Sequence, residues 1–190
     1  AVTGKPYFGA NFGGGVGIYV AAPGAVIEGN DVTEVIGYPY SGTGIRADGQ
    51  GTSDADRTVV RGNFVHDVSN TGIQATGNVV VEGNEVVGAA SGGIYTYYGV
   101  VVATNLVHDN TGNGIYVNGG TGTGNRVVHN AGVGVYVDGY ALVTNNVIYG
   151  NAVGVVGSST YFGGPFSALI TNNVIYANAS QGVQVNGASG

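Results

Sequence analysis

Between Gly93 and Val137 one short phrase returns about every 21 residues. It runs G-I-Y-T, V-V-V-A-T-N-L-V-H-D-N, G-I-Y-V, G-T-G-N-R-V-V-H-N, G-V-Y-V, and a period of that length demands a repeat architecture. Two anchors hold the register along the chain. A glycine precedes an aliphatic residue at Gly17, Gly44, Gly72, Gly93, Gly114, Gly134, Gly154 and Gly182. An asparagine stands two residues before Val or Ile at Asn30, Asn63, Asn84, Asn105, Asn125, Asn146 and Asn173. The anchors stay in phase, so the chain reads as one solenoid of about seven turns. Residues 1–16 carry no clean phrase and read as an N-terminal cap or extension; residues 17–190 form the solenoid domain.

Within each turn apolar residues alternate with period two, which is strand and not helix. Val32, Val65, Val86, Val107, Val127, Ile148 and Ile175 follow the asparagines; Ile18, Ile45, Ile73, Ile94, Ile115, Val135, Val155 and Val183 follow the glycines. These predict inward columns that become a core only when turns stack. The asparagines predict a ladder, each amide bonding to its neighbours above and below at a tight corner whose left-handed backbone Asn tolerates. A second column, Asn110, Asn130, Asn151 and Asn178, follows five residues later.

The 38 glycines punctuate turns and do not signal disorder, because they are periodic. Only 8% of residues are charged and the net charge is −6, with five basic side chains and no basic patch. Nucleic-acid binding through phosphates is not expected, nor is membrane insertion, since no apolar run approaches the roughly 18–20 residues a spanning helix needs. Cysteine is absent, so disulfides and thiolate metal sites are excluded. The alanine at position 1 suits a mature secreted or cell-surface chain, or a domain excised from a longer one.

Two regions carry candidate chemistry. From Arg46 to Asp67 the chain gathers Asp48, Asp54, Asp56, Arg57, Arg61, His66 and Asp67 around a long loop. Asp54, Asp56, Arg57, Arg61, His66 and Asp67 are the candidates for proton transfer and charge stabilisation. Asp48, Asp54 and Asp56 are the candidates for a hard cation such as Ca2+, although no cofactor is required. The second region is an outward stripe, Tyr95, Tyr116 and Tyr136, on three consecutive turns, able to pack on sugar rings or to stabilise the sheet by stacking. His66 and His108 lie two turns apart, too far to share a metal.

The phrases G-I-Y-V with N-L-V-H-D-N, N-V-I-Y-G-N and N-V-I-Y-A-N resemble the repeats of the pectin-lyase-like superfamily, over about residues 17 to 187. That resemblance implies an all-β fold, a right-handed parallel β-helix of about seven coils. Its members include pectate lyases, mannuronan epimerases, phage tailspikes and bacterial surface proteins. The Asp-Pro-His-Glu motif of the epimerases is missing, for no proline here follows an aspartate. No catalytic residue is carried over.

Two further features shape the functional expectation. Asp138 is the last charged residue, and nothing after Val185 reads as a polar or helical cap. A long neutral surface on an open-ended solenoid favours self-association, and head-to-tail stacking that never closes makes a filament. The leading expectation is therefore a secreted, non-catalytic structural protein that polymerises with copies of itself. The alternatives are a polysaccharide lyase or epimerase acting on an acidic glycan, and a carbohydrate-binding or adhesin module.

Overall fold

The computed structural model describes residues 2–3, 15–37, 42–158 and 167–186. Most of the expected N-terminal cap, the Tyr38-Pro39-Tyr40 insertion and positions 159–166 of the second long loop lie outside the described residues.

Among the described residues seven coils each contribute one strand to each of three sheets; Val2–Thr3 adds an eighth to the first and Val183–Asn186 an eighth to the third, giving eight, seven and eight strands. One coil serves as the pattern. Val101–Ala103 lies in the first sheet, Leu106–His108 in the second and Asn113–Asn118 in the third. Neighbouring coils pair in parallel and in register, with Val107 opposite Val127 and Ile94 opposite Ile115. This is the parallel β-helix the period implied. Through the middle coils both expected inward columns are buried: Ile45, Ile73 and Ile94 are fully enclosed, as are Val65, Val86, Val107 and Val127. At the ends Ile18 and Ile175 are only partly buried and Val183 is exposed, because no further coil covers them there. A third column, Ile27, Val60, Val81, Val102 and Val143, closes the core from the first sheet.

The anchor glycines are there for close approach. A Cβ on Gly114 would sit 2.4 Å from Val127 Cγ1 and 2.7 Å from the Gly134 carbonyl oxygen of the next coil. A side chain at that point would push two coils apart.

The asparagine ladder forms as expected, between the first and second sheets. Asn84 donates to Asn105 Oδ1 from both its backbone N–H and its side-chain amide, each at 2.9 Å, and the pattern continues from Asn105 to Asn125. The second column repeats it from Asn110 to Asn130 to Asn151 to Asn178. In earlier coils Val35, Val68 and Ala89 occupy that corner. One detail differs from the sequence reading. The left-handed residue is the one before each ladder asparagine, Gly29, Gly62, Gly83, Thr104 and Gly124 among them. The corner bends there, and the asparagine following it is left to turn inward and bond to the coils on either side. Among the described residues no buried side-chain N or O lacks a partner.

The ends differ from two open edges. Val2–Thr3 runs antiparallel to the first strand of the first sheet, Val2 opposite Ile27, so that edge is paired by a returning segment. At the other end Leu169, Val174, Tyr176, Val183 and Val185 are exposed.

Candidate functional site on the third sheet

Alternation along the third sheet sends Tyr95, Tyr116 and Tyr136 outward, and register stacks them. Their ring centroids follow one another at 5.6 Å, with interplanar angles of 46° and 30°. Tyr97 leans on Tyr116 from the side, also at 5.6 Å. Together with Asn113 these four tyrosines line a shallow groove of about 250 Å³. Offset and tilted rings leave ring edges and part of the outer tyrosines' faces exposed along the groove, apolar surface of the kind a sugar ring packs on.

The centre of the groove is electrostatically fixed. Tyr116 donates its hydroxyl proton to Asp138 Oδ2 at 3.0 Å and accepts from the Asn118 amide at 3.2 Å. Asp138 is only 1% exposed, and Asn118 is also buried. Burial pushes the Tyr116 phenol up to about 12; the Asn118 bond pulls the other way and Asp138 adds to the rise. Burial likewise raises Tyr95. At neutral pH Tyr116 is therefore a protonated donor held in one orientation.

The same relation recurs at the start of the face. Tyr19 donates to Asp48 Oδ2 at 2.9 Å, while the Arg46 guanidinium pairs with that carboxylate at 3.1 Å and lies 5.3 Å from the centroid of the Tyr19 ring. Burial, then Asp48, raises the Tyr19 phenol.

The residues between Arg46 and Asp67, adjacent in sequence, are dispersed around the circumference. Arg46 and Asp48 face out from the third sheet. Asp54 and Asp56 sit on the exposed single 3-10 turn Asp54–Asp56, where Asp54 pairs with Arg57 and Asp56 accepts from Ser53 at 2.7 Å. Arg61 points out from the first sheet and binds Glu28 at 2.9 Å. His66 ends the second-sheet strand Phe64–His66, and Asp67 follows it at a left-handed corner, φ 52°. Asp48 is thus held by Tyr19 and Arg46, away from Asp54 and Asp56. Among the described residues no three His, Asp or Glu side chains converge on a metal position.

His66 has a setting of its own. Its Nδ1 lies 2.8 Å from Asp67 Oδ2, its Nε2 3.0 Å from Asp31 Oδ1, and its ring stacks on Phe64 at 4.4 Å. The bond to Asp67 raises its pKa against the opposing effect of burial, with Asp31 helping. His108 repeats the arrangement between Asp109 at 2.7 Å and Glu85 at 3.2 Å.

Sequence reasoning found the three stacked tyrosines but missed Tyr97, Asn113, Asn118 and Asp138. The signal was present: in G-V-Y-V-D, alternation puts Asp138 on the same face as Tyr136.

With the geometry in hand, the comparisons agree on the class. The family model described as the right handed beta helix region matches residues 9–153, and the chain belongs to that family. No curated protein sequence matches it. Among solved structures it is similar to a double mutant of the periplasmic alginate epimerase AlgG, at 18% identity and a TM-score of 0.68, over 92% of this chain and 44% of that one. It is also similar to AlgG itself, at 17% identity and a TM-score of 0.61, over 86% of this chain and 40% of that one. The chain thus spans less than half the length of these structures, and at such identities the likeness is one of fold. No helix among the described residues is long and apolar enough to cross a membrane.

Proposed function

We propose that the protein works on a polysaccharide laid across the tyrosine groove of the third sheet, outside the cytoplasm, in the manner of the epimerases and lyases built on this fold. The observation that carries the reading is the Tyr116 hydroxyl, fixed between Asp138 and Asn118 in the middle of an aromatic groove. Elimination or epimerisation at a uronate removes a proton from C5 and delivers one elsewhere, to the departing O4 or to the opposite face of C5. The Tyr116 phenol stays protonated at neutral pH and takes the delivering half only by turning its O–H from Asp138 Oδ2 to the substrate, and its high pKa makes it a slow acid. Without an Asp-Pro-His-Glu motif, such chemistry runs through other residues than those of the epimerases.

The test is turnover of uronate polymers with and without added Ca2+, following unsaturated ends for elimination and the epimer ratio by NMR. The expected result is conversion by the native protein that Tyr116→Phe reduces by about 100-fold or more. A native protein that binds the polymer and leaves it unchanged would retain the binding half of the proposal and remove the catalytic half.

The second reading, head-to-tail assembly, has one observation in its favour: the exposed Leu169, Val174, Val183 and Val185 on the last coil. The paired strand Val2–Thr3 speaks against a matching open edge at the other end. Sedimentation across a wide concentration range separates the two, since a filament former grows without limit.

A further inference from the structure

The outer face of the second sheet holds a polar cluster that the groove on the third sheet does not use. Register stacks His108, Val128 and Tyr149 on three coils, with Arg126 two residues before Val128. Val128 is 5% exposed and forms a closed floor. Around it His108, Asp109, Arg126, His129 and Tyr149 line a hollow of about 220 Å³.

Each polar wall is fixed by a separate contact. The Arg126 guanidinium donates to the Tyr149 hydroxyl and its carbon lies 5.6 Å from that ring's centroid. Tyr149 is itself stacked on Tyr176 at 4.8 Å. His129 meets the edge of Tyr149 at 5.7 Å. Its backbone is left-handed, with φ 53°, and its ring occupies space left by Gly150. A Cβ there would lie 2.3 Å from His129 Cδ2. His108 is anchored between Asp109 and Glu85.

The charge balance indicates the ligand. Arg46, Arg57 and Arg61 each pair with a carboxylate; Arg126, among the described residues, pairs with none. A guanidinium carries five donors in a planar fork, and Tyr149 occupies only one side of it. The natural complement of the remainder is a planar monoanion. Asp109 in the lining and Glu85 nearby repel any anion, a dianion such as phosphate about twice as strongly as a monoanion.

We infer that this hollow binds the carboxylate of a uronate residue, with the Arg126 fork on the carboxylate and the Tyr149 hydroxyl proton and His129 directed at the sugar hydroxyls. The inference rests on the polysaccharide reading and adds a second contact surface, one face round from the tyrosine groove.

The experiment is an amide-resolved NMR titration of the native chain with a short oligouronate, a neutral oligosaccharide of equal length, and acetate. The expected result is that the oligouronate alone moves the signals of residues 106–109, 126–129 and 149. Arg126→Gln then weakens those shifts about tenfold or more, and Tyr149→Phe weakens them less, with both variants giving native-like spectra elsewhere. Shifts that persist in Arg126→Gln, or equal shifts with the neutral sugar or with acetate, overturn the inference. Movement confined to the amides of Tyr95, Tyr116 and Tyr136 also overturns it while supporting the groove. Movement nowhere removes both.

Discussion

Tyr116 reaches across one coil boundary to bond Asp138, two residues beyond its own register partner Tyr136, and Tyr19 does the same to Asp48 beyond Arg46. In both places the inter-coil step presents an aspartate to the tyrosine below it. The Asp138 pair is the more deeply buried. Removing the hydroxyl by Tyr116→Phe is expected to cost about 1.5–3 kcal/mol of stability, the range for a hydrogen bond to a charged group, measured by urea unfolding. In a spectrophotometric titration of the phenols, the native chain should show a late step near pH 12 that the variant lacks. Since the folded pKa is raised above 10, stability is complete below pH 10 and falls as pH rises through the folded value.

The ladder gives a second prediction. Asn105 Oδ1 accepts two bonds from Asn84, and its amide donates to Val81 O at 2.9 Å and to Asn125 Oδ1 at 3.0 Å. Asn105→Ala strands several buried groups at once, at about 1–3 kcal/mol for each group left unsatisfied. The expected loss, by denaturant unfolding, is more than 3 kcal/mol in all. A loss below about 1 kcal/mol would mean that water enters the corner and replaces the amide.

Thr104 offers a gain. It holds φ 55° at a corner where Gly29, Gly62, Gly83 and Gly124 stand in other coils. A β-branched residue is strained in that region, by about 1–3 kcal/mol. Thr104→Gly should therefore stabilise the protein by about 1 kcal/mol, read as a rise in the midpoint of unfolding; the added freedom of glycine in the unfolded chain keeps the gain at the low end.

Protonation of His66 supplies a pH-dependent contribution. Both ring nitrogens face carboxylates, Asp31 and Asp67, so only the imidazolium donates to both. Its folded pKa is raised above 6.5, which places the stabilisation below that value and removes it as pH rises through the folded one. The stability difference between the native chain and His66→Gln should be larger at pH 5.5 than at pH 8.5, two values chosen roughly either side of the ordinary histidine range. A difference that does not vary with pH would remove the charged sandwich.

The sequence was informative where the physics is periodic. Stacking forces position-by-position equivalence, so the Ile45–Ile73–Ile94–Ile115 column, the asparagine ladder and the tyrosine stripe could all be read by aligning the chain with itself. It was misleading where proximity along the chain stood in for proximity in space. Arg46 to Asp67 runs through most of one circuit, from the third sheet past the first to the end of the second, since Arg46 meets its register partner only at Gln74, and consecutive candidates therefore face three different ways. The side chains that do meet are about 20 residues apart: Arg126 with Tyr149, Tyr116 with Asp138, His108 with Glu85. The burial of Asp138 was not legible either, because alternation predicts a face and says nothing of what lies over it. The left-handed corner was assigned one residue late, since the ladder asparagine is conspicuous and the glycine before it is one of 38.

The central claim is that the stacked tyrosines of the third sheet form a glycan-binding surface as well as a stabilising stack. Calorimetric titration of the native chain and of Tyr95→Ala/Tyr136→Ala with an oligouronate tests it directly. The account predicts an affinity at least about tenfold weaker in the variant, beyond the roughly 0.2–1 kcal/mol of folding stability that each lost cross-strand pair costs. Equal affinity in a folded variant would contradict it and leave the tyrosines with a structural role alone.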